Sequence, residues 1–366
     1  MESLFNFIFL LAVCWETAFI WYNWTPLAFF KPTPPVEKEN SVSVVVAARN
    51  EEKRLEKLVM ALMGQNHQRY EVVIVNDRSE DGSRALLDSL AEEFSQLRVI
   101  HIDALPDGWT GKKHAVYQGI QNARKTFILL TDADCIPQSP EWINQMTQGF
   151  DSRTEFILGF SPYQKKPGLL NQFIQFETLL TGVQYISAAL RKKPYMGVGR
   201  NLAYRKKLFL EQGFGGDEVF VGGDDDVFVN KFANRSNTKV VISAESQVFS
   251  EPKESWREYF IQKIRHLSAG KRYRIKDQTR LGSFALANLV GWLLFLYAIL
   301  SNQMEAWILI LFICRSLSFY SIFTLSGQKL NVKLAFWALP LFDLCYTISY
   351  TVVGLVALTA KRIKWS

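Results

Sequence analysis

Four long apolar blocks bracket a polar middle, and that arrangement restricts what this chain can fold into more than any other feature. Residues 4–30 read LFNFIFLLAVCWETAFIWYNWTPLAFF, long enough to cross a hydrocarbon core about 30 Å thick. Trp21, Tyr22 and Trp24 suit the aromatic belt at a membrane surface. No small-residue cleavage site follows, and Lys31-Pro-Thr-Pro-Pro35 reads as a stiff linker, so a retained anchor is expected rather than a signal peptide. Three more apolar blocks lie at about 283–301, 306–325 and 334–358. The expected division is an anchor at 1–30, a catalytic domain at 31–282 and a membrane domain at 283–366. Arg315 and Asp343 fall inside the last blocks, where an unpaired charge is costly, so the two are expected to face each other.

Composition excludes several classes. The net charge of +7 sits in no basic run interleaved with stacking aromatics, so no nucleic-acid partner is expected. Basic charge near the membrane ends reads instead as cytoplasmic, close to anionic headgroups. That places the amino terminus outside, and three carboxyl-terminal spans then put Lys361-Arg-Ile-Lys364 outside as well, against the positive-inside tendency. The four cysteines include no CxxC pair and the four histidines no ligand spacing, which argues against zinc and a disulfide framework.

The polar middle begins as an alternation. Ser41-Val-Ser-Val-Val-Val-Ala47 is a β-branched strand, after which Asn50 is expected to cap a helix with Glu51 and Glu52 in its first turn. Val72–Val75 forms a second strand ending in Asn76-Asp77, residues 97–102 a third, and helices are expected to about Phe94 and over about 112–124. Strand and helix in turn give a parallel sheet with crossovers. Phe127-Ile-Leu-Leu-Thr-Asp-Ala-Asp-Cys135 then runs four apolar residues into Thr131 and two carboxylates, as a strand buried on both faces would. Asp132 and Asp134 fall at its carboxyl end, where open α/β sheets bind ligands. Two carboxylates there make a hard oxygen site for Mg²⁺ or Mn²⁺. The first strand–helix turn, Ala48-Arg-Asn-Glu-Glu52, has no glycine, which excludes a dinucleotide-binding Gly-x-Gly-x-x-Gly.

The succession Ala48-Arg-Asn-Glu-Glu52, Val75-Asn-Asp77, Gly111-Lys112 and Asp132-Ala-Asp134 resembles the nucleotide-binding half of the family 2 glycosyltransferases. The resemblance covers residues 41–136 and implies an α/β fold of the GT-A type, a single domain with a mainly parallel central sheet, here with transmembrane helices at both ends. It also implies a nucleoside-diphosphate sugar donor, with a UDP-sugar the favoured form and the sugar and base left open. On this resemblance Asp77 is the base-binding carboxylate, Glu51 lies near the nucleoside, Lys112 and Asp132 face the donor, and Asp134 ligates the metal on the diphosphate.

The second half is less regular. Gly168–Leu190 is amphipathic and would lie on a membrane surface or pack on the sheet. Gly197-Val-Gly-Arg-Asn201 resembles the family's glycine-bearing acceptor segment, which implies acceptor roles for Gly199, Arg200 and Asn201. Gly222-Gly-Asp-Asp-Asp-Val227 places three carboxylates in a row, whose mutual repulsion raises proton affinity towards the range of a general base. The family's Glu-Asp-x-Asp pattern, aligned on Asp226, puts the base at Asp224; Gly223 stands where the family has Glu, so Asp225 remains open. Gln262-Lys-Ile-Arg-His266 resembles the family's Gln-x-x-Arg-Trp motif with His266 in place of Trp, and Gln262, Arg265 and His266 share one helix face. Arg265 would stabilise the departing diphosphate.

Together these features predict an integral membrane enzyme, an inverting, metal-dependent hexosyltransferase acting on a membrane lipid acceptor at the cytoplasmic face. The alternatives are a processive polysaccharide synthase, which shares every motif, and an inactive scaffold, which would be expected to have lost carboxylates.

Overall fold

The computed structural model describes residues 2–31, 40–220 and 222–359. All of the Lys31–Pro35 linker but Lys31, and the Lys361–Lys364 tail, lie outside them. In chain order the elements are α1 (Glu2–Ala28), β1 (Val42–Ala48), α2 (Glu52–Met63), β2 (Tyr70–Asp77), α3 (Ser83–Glu93), β3 (Leu97–Ile102), α4 (Gly111–Asn122) and β4 (Phe127–Asp132). There follow β5 (Cys135–Pro137), α5 (Trp142–Thr147), β6 (Phe156–Leu158), α6 (Leu169–Leu190), β7 (Leu202–Arg205), α7 (Lys206–Gln212), α8 (Asp226–Phe232), β8 (Thr238–Val240) and β9 (Val248–Ser250). The chain closes on α9 (Trp256–Ala269), α10 (Ile275–Leu300), α11 (Ala306–Lys329) and α12 (Leu339–Thr359).

These elements form two compact units, one from residues 40–166 and 192–253, the other from 2–31, 167–191 and 254–359. Helices α6 and α9 fall in the second unit, with the apolar helices.

The first unit is built on a seven-stranded sheet of order β3-β2-β1-β4-β7-β6-β8. Strands β3, β2, β1 and β4 run parallel, and β7 runs against both of its neighbours. The β-branched runs are buried on both faces, as crossover helices require. On one face Val44, Val46, Ile74 and Leu129 pack against Leu55, Leu58 and Leu62 of α2 and Trp142 of α5. Each such side chain, wholly removed from water, contributes roughly 1.5–3 kcal/mol. Register sets Ala47 beside Asp132 and Ala48 beside Asn76, so the acidic strand ends line one edge of the sheet.

Asn50 does not cap α2. It takes a left-handed backbone (φ 56°), and Glu51 occupies the cap position. Its N–H donates to Ser79 Oγ and its Oδ1 accepts from the Glu80 N–H, tying the first strand–helix loop to the second. A short polar side chain that tolerates left-handed geometry suits this task.

The second unit holds four helices long and apolar enough to cross a membrane: α1, α10, α11 and the stretch Phe336–Thr359. Helix α6 belongs with them. It is buried round most of its circumference, Asn171 and Gln175 included, so the amphipathic reading of Gly168–Leu190 as a surface or sheet-packing helix gives way. Ser187 Oγ donates to the Trp24 carbonyl of α1, and Phe176 packs on Phe323 of α11 and Phe342 of α12. Arg315 and Asp343 do face each other, at 2.5 Å. A third partner, Glu16 of α1, takes the other arm of the guanidinium, so one arginine ties three helices. Asn288 and Trp292 of α10 donate to the Asp343 carboxylate at 3.3 and 3.2 Å and bring in a fourth.

Candidate active site

The carboxyl edge of the sheet gathers most of the chemistry. Asp132 ends β4, and Asp134 follows in the turn to β5. Asp132, Asp134 and Cys135 each point one ligand atom into a space where these atoms lie within 4.8 Å of one another. Asp134 is oriented by two donors, Cys135 Sγ at 3.3 Å and Ser250 Oγ at 3.3 Å. Ser250 arrives on β9, which pairs with β5, so this support comes from far along the chain. Burial first, and the two aspartates next, push the Cys135 thiol well above its ordinary pKa. It stays a protonated donor, and the carboxylates remain as hard oxygen ligands. That set fits Mg²⁺ or Mn²⁺ and does not suit a soft metal.

Lys112, in the first turn of α4, bridges two acidic groups: its Nζ lies 2.9 Å from Asp132 and 3.3 Å from Asp224. Burial alone would favour the neutral amine, but Asp132, Asp224 and Asp225 together outweigh it and hold the ammonium well above its usual pKa. Asp225 caps α8, with Oδ1 accepting the Asp226 N–H at 2.8 Å and Oδ2 accepting the Gly199 N–H. A Cβ at Gly199 would come within 2.9 Å of that oxygen, so glycine is what lets this segment close on the carboxylate. Burial, then the charge of Asp224, raises the Asp225 pKa above the ordinary aspartate value, against the pull of Lys112.

Arg200 stacks its guanidinium over Tyr163, 4.3 Å from the ring centroid, and donates to the Ser161 carbonyl at 3.3 Å. Its buried Nη1 has no hydrogen-bond partner among the described residues. Asn201, expected among the acceptor residues, is fully buried. Its amide donates to the carbonyls of Phe160 and Ser246, and its oxygen accepts from Trp142 Nε1. These three bonds tie it into the protein.

Two residues expected on the donor side are engaged within the protein. Asp77 is buried and held in a two-pronged pair by Arg78, at 2.7 and 2.9 Å. Gly111 permits this, since a Cβ there would lie 2.6 Å from both Asp77 Oδ2 and Arg78 Nη2. Glu51 pairs with Arg54 at 2.7 Å, and Arg54 reaches Glu251 at 2.8 Å. Burial, opposed by Arg54, raises the Glu51 pKa, with Asp134 and Glu251 adding to the rise.

Gln262, Arg265 and His266 lie on α9, in the helical unit. The same helix is tied to α6 by an ion pair between Lys263 and Glu177. Sequence reasoning passed over Arg78, Tyr163 and Ser250. Arg78 could have been suspected as a cation directly following the strand-end Asp77. Tyr163 and Ser250 meet their partners across 37 and 116 residues, and no local pattern announces either.

A parallel sheet with carboxylates, a lysine and an acidic helix start along its carboxyl edge is the frame of the GT-A fold. The solved structure of a mannosyltransferase from Pyrobaculum calidifontis, in complex with GDP-Man and Mn²⁺, shares the fold over 96% of this chain and 99% of its own, with a TM-score of 0.64 and 16% identity. Residues 43–213, a little under half of the chain, match the model of Glycosyl transferase family 2. Among curated relatives, a 4,4'-diaponeurosporenoate glycosyltransferase of Staphylococcus haemolyticus is 27% identical over 42% of each chain. A beta-monoglucosyldiacylglycerol synthase of Synechocystis is 30% identical over 39% of this chain and 29% of its own. The chain thus aligns with less than half the length of either.

Proposed function

We propose that the protein is an inverting, metal-dependent glycosyltransferase that moves one sugar from a nucleoside-diphosphate sugar to a membrane lipid. The observation that carries the reading is the chain of charge Asp132–Lys112–Asp224 beside Asp225, on a family 2 segment, with Asp134 turned to the same edge. The lipid acceptor is supported by the four apolar helices and by two relatives whose names specify a carotenoid acid and a diacylglycerol product. The cytoplasmic placement of the catalytic unit belongs to the same proposal.

Asp225 is the better general base. Its proton affinity is raised, and its two backbone donors fix the carboxylate without neutralising it. Asp224 instead sits in an ion pair with Lys112. Asp225 would take the proton of the acceptor hydroxyl as that oxygen attacks the anomeric carbon, and the bond to the diphosphate breaks on the opposite side. Lys112, held charged, and Arg200, with an unused N–H, offer positive charge to the leaving group. Asp134 and Asp132 would hold a divalent ion, which supplies charge neutralisation for the diphosphate. Asp77 and Glu51 serve the nucleoside side, and Gln262, Arg265 and His266 remain proposed contributors from α9.

The test is incubation of the purified protein with Mn²⁺, a panel of nucleotide sugars and membrane lipid, with products separated by size and read by mass spectrometry. Singly glycosylated lipid is the expected product. High-molecular-weight, glycosidase-sensitive material formed without added lipid would overturn the reading in favour of a polysaccharide synthase.

A further inference from the structure

The stretch Phe336–Thr359, which holds α12, is long and apolar enough to cross a membrane, yet its contacts within the helical unit are not those of a span. Helices α10 and α11 form a hairpin, with the Phe295 and Phe312 rings stacked at 3.8 Å, so α11 ends on the side where α10 begins. A further span would leave that side and run the same way as α10. Helix α12 runs the other way. Asp343 meets Trp292 and Asn288 of α10 at 3.2 and 3.3 Å, and Thr347 meets Asn288 at 2.6 Å. Near the carboxyl end of α12 the Leu358 carbonyl accepts from Lys271, at 2.9 Å, and Lys271 precedes the start of α10. Advancing along α12 is therefore moving back along α10.

The link from α11 to α12 does not cross to the far side first. Only residues 330–338 separate the two helices. The Val332 N–H still donates to the Gly327 carbonyl of α11 at 2.9 Å, and the Phe336 ring lies 6.0 Å from that of Tyr320. Tyr320 precedes the last residue of α11, Lys329, by roughly 14 Å at 1.5 Å per residue, less than half of a hydrocarbon core about 30 Å thick. Helix α9 gives the level independently. It packs along α12, with Phe173 of α6 touching both Tyr259 of α9 and Phe342 of α12. Its Arg257 and Glu258 are exposed, and hydrocarbon would not tolerate them. The face of α12 turned from these neighbours is apolar: Leu341, Ile348, Val352 and Leu355 are exposed at helical spacing, while Phe342, Asp343 and Thr347 are buried.

We infer that α12 does not span the bilayer: it lies in the leaflet on the side where α10 begins, its apolar stripe against the acyl chains of that leaflet alone. Helices α1, α10 and α11 are then the spans, and α12 returns its carboxyl end to the side of Lys271, Arg272 and Lys276, all exposed. The chain after Thr359 starts on that same basic side, which removes the conflict between three carboxyl-terminal spans and the positive-inside tendency.

The experiment uses the full chain with its four native cysteines changed to serine and single cysteines introduced as Lys276→Cys, Asn302→Cys or Thr359→Cys. In sealed vesicles of known orientation an impermeant maleimide should label Thr359→Cys within about twofold of Lys276→Cys. Asn302→Cys, in the turn between α10 and α11, should react from the opposite side. Thr359→Cys reacting from the side of Asn302→Cys would overturn the inference, and so would Lys276→Cys doing the same. Spin labels on Leu341→Cys, Ile348→Cys and Leu355→Cys, in phosphatidylcholine vesicles, then report depth through oxygen and nickel-chelate relaxation. All three should contact lipid, with Ile348→Cys no deeper than Leu341→Cys. A depth maximum at Ile348→Cys with both outer positions shallow is the pattern of a span and would overturn the inference, as would labels that meet no lipid. Neither measurement needs turnover, so each outcome stands apart from the transferase reading.

Discussion

Two cations in this molecule each stand between two carboxylates, and they do so in opposite surroundings. Lys112 bridges Asp132 and Asp224 at the edge of the sheet, with side chains 20%, 30% and 9% exposed. Arg315 bridges Glu16 and Asp343 among apolar helices, where all three are 1% exposed. The lysine presents a flexible point charge that can shift from protein carboxylates to a ligand's phosphates. The arginine presents a rigid fork with one arm for each helix. On the proposed function, a similar charge pattern would serve exchange in one place and fixation in the other.

The comparison can be broken by substitution, and the largest effect is expected at the catalytic cluster. Asp225→Asn should lower kcat by about 10²–10⁴, the usual contribution of a general base, while donor affinity by calorimetry stays within a few fold. If Asp224→Asn is the inactive variant and Asp225→Asn turns over normally, the base lies one residue earlier. On the fixed side, Arg315→Met leaves two buried carboxylates without their cation and should destabilise the protein by about 3–5 kcal/mol, read as a lower unfolding midpoint in detergent. Adding Glu16→Leu and Asp343→Leu should recover most of that loss, since uncharged residues of similar size often replace a buried ion pair without penalty.

A smaller effect separates the two clusters by pH. The base acts unprotonated, so the rate should fall as pH drops through the Asp225 pKa. Burial and Asp224 raise that value, so the acid limb lies above the ordinary aspartate range. Lys112 pulls it down, so Lys112→Met should move the limb to higher pH in a kcat/KM profile, whereas the Arg315 variants should leave the limb in place. The smallest effect is expected from Gly111→Ala. The added methyl would sit 2.6 Å from both members of the Asp77–Arg78 pair and displace it. A rise of severalfold in donor KM, with kcat little changed, is the expected outcome of a competition-free titration of nucleotide sugar.

Much of this was legible in the sequence because it depends on local pattern. The strands β1 to β4 could be read from β-branched runs, and Asp132 and Asp134 from their place at a strand end. The pairing of Arg315 with Asp343 followed from the expense of a lone charge in a membrane. What escaped was non-local. Glu16 lies 299 residues from Arg315, and nothing in α1 shows that this glutamate has a partner at the other end of the chain. The burial of Asn201 depends on Trp142 and two distant carbonyls, which no local pattern announces. Helix α6 misled for a related reason. Asn171 and Gln175 look like part of a solvent face until neighbouring helices cover them.

The interleaving of the two units has a consequence for biosynthesis. On a ribosome α6 emerges long before α10, α11 and α12, and of the apolar helices it packs with, α1 alone has already been made. Phe176 must wait for Phe323 and Phe342 to be synthesised about 150 residues later, at roughly 5–20 residues per second. For those seconds its apolar surface is held by α1, by lipid or by a chaperone. A fragment ending after β9 would keep every carboxylate of the catalytic cluster and still leave α6 without three of its packing partners. Such a fragment is expected to aggregate unless α6 is shielded.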